Sequence, residues 1–156
     1  MNGVNKMKVR SCDEKISLAK NYFNEGYNCS QSVFLAFCED YGMDSQLASK
    51  ISASFGGGMG QLREVCGAVT GMFMAAGLIY GYTDPNNLVD KAAHYERIQY
   101  LSKKFEEAHE RIICRVLLEN AEAQAEVKKS QERSCTAFVE TATKIMAEYI
   151  ESCPQL

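Results

Sequence analysis

The chain has 156 residues, 46% of them apolar, with seven cysteines, two prolines, no tryptophan and a net charge of −3. That length suits one domain with a sizeable core, and a pI of about 5.5 disfavours a nucleic-acid binder, which needs a surplus of Lys and Arg. Residues 1–10 carry Lys6, Lys8 and Arg10 but no apolar segment follows them, so the expectation is a cytoplasmic protein without a structural disulfide framework. The absence of any Cys-x-x-Cys pair removes zinc ribbons, thioredoxin-type motifs and haem attachment.

In chain order, Ser11-x-x-Glu14 is a capping box that opens an amphipathic helix closing near Gly26. Asn28-x-x-Gln31 opens a second helix, whose Val33, Phe34, Ala36, Phe37 and Tyr41 keep helical spacing until Gly42. Asp44 caps a short third helix ending near Phe55, and the glycine-rich segment 56–60 breaks the chain. Its glycines follow no strand and lead to no Gly-Lys-Ser/Thr, so a helix–helix turn with positive φ is expected rather than a nucleotide loop.

From residue 65 to 83 the chain runs 19 residues without a charge. Four glycines and the polar Thr70, Tyr80 and Tyr82 argue for a central buried helix over residues 66–80 of a soluble bundle, with no membrane span. Gly67 and Gly71 share a face and permit a close helix crossing, within one chain or in a homo-oligomer. Asp84-Pro85 predicts the next helix, with Asp at the cap and Pro at the first position, running to His109. A shorter helical piece spans 112–118, residues 119–133 read as a solvated helix or hinge, and a final amphipathic helix spans 134–151 behind a Ser134 cap. With no alternating run long enough for a confident strand, the prediction is an all-α, single-domain helical bundle over residues 1–156.

Four of the cysteines fall near expected helix starts: Cys29 after Asn28, Cys66 after the glycine break, Cys114 in its short helix and Cys135 after Ser134. A helix N-terminus offers unpaired N–H groups and partial positive charge, which favour the thiolate, the form that is both nucleophile and metal ligand. Cys12 also follows a cap, and spacing alone does not separate it from the four. Cys38 lies about 180° round its helix from Cys29 and reads as core, and Cys153 in the tail reads as incidental.

Cys66-Gly67-Ala68-Val69-Thr70-Gly71 reads C-G-A-x-x-G, with single cysteines before and after it. Together with Tyr27-Asn28-Cys29-Ser30-Gln31-Ser32-Val33, Phe55-Gly56-Gly57-Gly58-Met59-Gly60 and Phe105-x-x-x-His109…Cys114-Arg115-x-Leu117-Leu118, it resembles the C_GCAxxG_C_C family over about residues 23–149. The resemblance implies an all-helical redox-active protein whose four characteristic cysteines fall on Cys29, Cys66, Cys114 and Cys135. Glu110 and Glu119 stand where glycine is expected in relatives. Related segments in split-Soret cytochromes, which bind an iron–sulfur cluster beside their haems, extend the analogy to the cluster alone, because this chain lacks a haem motif.

Four thiolates can hold an iron–sulfur cluster for electron transfer to a protein partner or for redox sensing, with Gly67, Gly71, His109 and Arg115 as candidate neighbours. Zinc accepts the same ligands, though its structural sites favour closely spaced pairs, whereas the intervals here are 37, 48 and 21 residues. A metal-free thiol–disulfide protein, with the four cysteines as redox thiols, and a non-catalytic interaction module with packing cysteines are the alternatives. Glu106-x-x-His109 has the spacing of a di-iron ligand pair without a second copy. No Ser-His-Asp or Cys-His-Asn set is defined, and enzymatic activity is left open.

Overall fold

The computed structural model describes residues 9–124 and 131–153, with side chains for 9–121 and 135–153. Among the described residues there is no strand, only one isolated antiparallel bridge between Val65 and Ile113. Helix α1 (Cys12–Asn24) begins at Ser11, whose hydroxyl accepts the Glu14 N–H while the Glu14 carboxylate accepts the Ser11 N–H. Helix α2 (Cys29–Cys38) begins the same way, Asn28 and Gln31 exchanging two bonds of 2.9 and 3.1 Å. Such reciprocal pairs satisfy donors a helix start leaves open. A 3₁₀ turn (Glu39–Tyr41) ends at the left-handed Gly42, and Asp44 caps α3 (Ser45–Ser52), which passes through a second 3₁₀ turn (Ala53–Phe55) into the glycine segment.

Helix α4 (Gly67–Tyr80) is the expected uncharged helix. It packs against α2, α5 (Leu88–His109) and α7 (Gln131–Ser152), while α6 (Cys114–Gln124) lies against α7 and the glycine segment. The centre of the bundle is shared: α2 is buried on nearly every side from Ser32 to Cys38, as deeply as α4. Their close crossing depends on Gly71, where a Cβ would stand 2.6 Å from the Ser30 carbonyl oxygen and 3.0 Å from Val33 Cβ. No helix among the described residues is long and apolar enough to cross a membrane.

Three helix boundaries differ from expectation. Helix α5 starts at Leu88 behind an Asn87 cap, not at Asp84-Pro85. The Asp84 carboxylate instead accepts the Asn86 N–H at 2.9 Å, closing an Asx turn that competes with helix initiation. Helix α6 runs from Cys114 to Gln124, past the expected end at 118, so the stretch expected as a solvated helix or hinge is helical at least that far; residues 125–130 lie outside the described residues. Helix α7 begins at Gln131, which places Ser134 and Cys135 inside the helix rather than at its start.

Candidate functional site

Residues 57–63 form the floor of the site. Gly57, Gly58, Met59, Gly60, Gln61 and Arg63 all have φ between 60° and 71°. For the three non-glycine residues this left-handed backbone is costly, of order 1–3 kcal/mol each, and surrounding structure has to hold it. Here Arg63 and Glu64 donate backbone N–H groups to the Gly57 and Gly58 carbonyls, at 3.3 and 3.0 Å. The chain leaving the loop is zipped to the start of α6: Cys66 N–H meets the Ile112 carbonyl (2.7 Å), Cys114 N–H meets Glu64 (2.6 Å) and Arg115 N–H meets Arg63 (3.1 Å). This ladder sets the first turns of α4 and α6 side by side, bringing Cys66 and Cys114 to one end of the bundle.

Cys29, the first residue of α2, is half-buried. Its thiol is pulled down to about 6, chiefly by a hydrogen bond with the Cys135 thiol and further by backbone N–H groups of Gly57, of Cys29 itself and of Ser30; these outweigh its burial. Cys135 is pushed strongly upward by the same hydrogen bond, by burial and by the negative charge of Cys29, with smaller contributions from Cys66 and Cys114. The pair therefore shares one proton, which resides on Cys135 and is donated to the Cys29 thiolate. Asn28 steadies the arrangement from outside, its side-chain amide donating to the Ala53 carbonyl at 3.0 Å.

Cys66 caps α4 and is 4% exposed. Burial and then the Cys29 charge push its thiol up to about 12, although the Ala68 and Val69 N–H groups point at it. This corrects the expectation that a helix start makes each of these thiols a thiolate: a helix end offers a partial charge, and desolvation exceeds it when the sulfur is buried. Cys114, the first residue of α6, is 7% exposed and receives the Arg63 Nη1–H at 3.8 Å. Gly58 is required beside it, because a Cβ there would lie 2.6 Å from Cys114 Cβ.

The structure thus places Cys29, Cys66, Cys114 and Cys135 within electrostatic reach of one another. Gly67 lies against the group, its Cβ position 3.1 Å from Cys29 Sγ, whereas Gly71 serves the crossing of α2 and α4. His109 stacks between Phe105 and Phe138, bonds Thr141 through Nε2 at 2.8 Å and is lowered by burial. Arg115 turns away to an exposed pair with Glu64 at 3.1 Å. The guanidinium at the sulfurs is that of Arg63, which sequence reasoning missed; the only hint was its place just beyond the glycine run. Cys38 is sealed in the core and pushed up to about 11 by burial, Cys12 is half-buried at the start of α1, and Cys153 is exposed. Ser30 Oγ, buried one residue after Cys29, has no hydrogen-bond partner among the described residues. Among those residues no three His, Cys, Asp or Glu side chains already stand as a metal-holding group, Glu106 and His109 included.

Fold and geometry together define an all-helical protein with four thiols drawn to one end of a bundle. The family model described as "Putative redox-active protein (C_GCAxxG_C_C)" matches residues 27–149, and the chain belongs to that family. No curated protein and no solved structure matches the chain.

Proposed function

We propose that the chain is a thiol–disulfide redox protein in which Cys29 is the nucleophile and Cys135 the resolving thiol. The observation that carries this reading is the Cys29–Cys135 hydrogen bond, which holds Cys29 as thiolate near neutral pH beside a protonated partner. In the forward half-reaction the Cys29 thiolate attacks one sulfur of a disulfide. The disulfide S–S bond breaks, a mixed disulfide forms on Cys29, and the departing thiolate takes the electron pair and a proton from solvent. Loss of the Cys29 charge removes one cause of the raised Cys135 value, and deprotonated Cys135 then attacks Cys29 Sγ. This releases the second thiol and leaves a Cys29–Cys135 disulfide, so two electrons and the one proton of Cys135 leave the protein, the other proton of the two product thiols coming from solvent. Cys66 and Cys114 border the pair, Cys66 as a thiol kept neutral by burial.

A second reading is supported by the orphaned Ser30 hydroxyl beside Cys29 and by the donor set itself. Four thiols and several inward N–H groups fit an iron–sulfur cluster, with Cys29, Cys66, Cys114 and Cys135 as ligands after their side chains turn inward. When bound, the cluster would supply one-electron transfer to a partner protein; the chain's own residues would hold it and exclude water.

One experiment separates the two. The protein is purified anaerobically, its iron, zinc and acid-labile sulfide are measured, and its thiols are counted under reductant and oxidant with peptide mapping. The first reading expects a reversible loss of two thiols in a Cys29–Cys135 linkage, retained in Cys38→Ser. Stoichiometric iron and sulfide with visible charge-transfer bands, abolished in Cys66→Ser, would replace it with the cluster. Neither signal would leave the four cysteines as packing residues and overturn both.

A further inference from the structure

Arg63 stands out in the loop beside the thiols. Its side chain is exposed, makes no ion pair among the described residues, and spends one donor on Cys114 Sγ at 3.8 Å. Its Nη1 is also 3.7 Å from the Cβ position of Gly57, the residue whose N–H meets Cys29 Sγ. The guanidinium therefore sits on Cys114 and beside Gly57, which borders Cys29, with donors left over. It is held there by a backbone that is left-handed at residue 63 and tied on both sides, through the Arg63 N–H to Gly57 and the Arg63 carbonyl to Arg115. The nearby carboxylate of Glu64 is already engaged by Arg115 at 3.1 Å.

Sequence places a strained, tied loop under one arginine, and an arginine fork is matched to a planar anion such as a carboxylate. Access is narrow: Cys66 and Cys114 are 4% and 7% exposed, and Cys29 is only partly open. A slender molecule reaches such a sulfur more readily than a folded protein's disulfide. We propose that Arg63 is the specificity residue of the thiol centre, gripping a carboxylate of a low-molecular-weight disulfide so that its sulfur lies against Cys29. This rests on the thiol–disulfide reading above. The chemistry is the same exchange: the Cys29–S bond forms as the reactant S–S bond breaks, and the leaving thiol carries its carboxylate away.

The test uses the full reduced chain at pH 6.5 in stopped flow with two chromogenic disulfides. One is 5,5′-dithiobis(2-nitrobenzoate), which carries two carboxylates; the other is the uncharged 4,4′-dithiodipyridine. The readout is the ratio of their rate constants for the fast phase, assigned to Cys29 by its loss in Cys29→Ser. Arg63→Gln is expected to lower the anionic-to-neutral ratio by about tenfold or more, the worth of one charge-assisted contact. Arg63→Lys should recover part of it, and added salt should reduce the ratio of the unmodified chain. A ratio within twofold of the original in Arg63→Gln, or equal slowing with both probes, overturns the proposal. Should that variant fail to fold, salt insensitivity of the unmodified chain's ratio does the same. A fast phase that survives in Cys29→Ser instead overturns the underlying thiol reading, and the assignment of Arg63 to Cys29 falls with it.

Discussion

Replacing Cys135 by alanine removes the largest single cause of the low Cys29 value while leaving the glycine loop and the α2 N-terminus in place. A thiol titrating at about 6 is roughly 90% thiolate at pH 7, whereas one at the ordinary 9.0 is roughly 1%. A hydrogen bond to a charged group contributes about 1.5–3 kcal/mol, and about 1.4 kcal/mol is a factor of ten. Losing the Cys135 donor should therefore raise the midpoint of the Cys29 reactivity profile by about one to two pH units. The thiolate fraction at pH 7 then falls to between about a half and a tenth. The assay is iodoacetamide alkylation of Cys29 from pH 5 to 10, followed by peptide mass spectrometry, with the midpoint as readout. A rate at one pH would mislead, because a more basic thiolate is also intrinsically more nucleophilic. Cys135→Ser keeps a hydroxyl donor and should lie between the two. Coincident midpoints for Cys135→Ala and the unmodified chain, with both folded, would refute the shared-proton account.

Two further predictions concern stability. Cys29 is held below its ordinary value, so its contribution is complete above about pH 9 and is lost as pH falls through 6. Cys66 and Cys38, held up at about 12 and 11, contribute fully below pH 9 and lose that contribution as pH rises through those values. Under reducing conditions calorimetry should accordingly find a Tm that climbs from pH 5.5 to the mildly alkaline range and then declines, with the acid limb flattened in Cys29→Ser. Gly71→Ala forces a methyl to within 2.6 Å of the Ser30 carbonyl oxygen, so α2 and α4 must part. Overpacking costs about 1–3 kcal/mol against up to about 1 kcal/mol of helix propensity gained. Its Tm should drop by several degrees. Gly77→Ala, with nothing within 4 Å of the new carbon, should be neutral or stabilising, and equal effects would refute the packing argument.

Three helix starts were legible because a side chain caps its own backbone and that bond is local: Ser11, Asn28 and Asp44 each precede the helix they announce, whereas Asn87, which caps α5 in the same way, was passed over for Asp84-Pro85. The Asp84-Pro85 signal misled because the same carboxylate makes a turn two residues on, and sequence does not rank the two bonds. Ser130 and Ser134 are both cap-type residues in a charged stretch, and the expectation of a Ser134 cap set Cys135 a helical turn too close to the start of α7. Cysteine position was readable, thiol character was not. Whether a thiol ionises depends on the donors the fold aims at it weighed against the water it removes, and Cys29, with Cys135 as donor, differs from buried Cys66 despite similar places at helix starts. Arg63 was invisible for a related reason. Its location comes from the tie between residues 63–66 and 112–115, a contact between segments about fifty positions apart.

The paired thiols lie 106 positions apart, Cys29 on α2 and Cys135 on α7. During synthesis the first emerges from the ribosome long before its proton-sharing partner exists, and until α7 docks its sulfur lacks the contact that most lowers it. Such a chain carries its own safeguard in time: the nascent polypeptide exposes cysteines of more ordinary reactivity, and the reactive one is armed only when the last helix closes the bundle. A product cut short before α7 would keep Cys29, Cys66 and Cys114 and lose that arming.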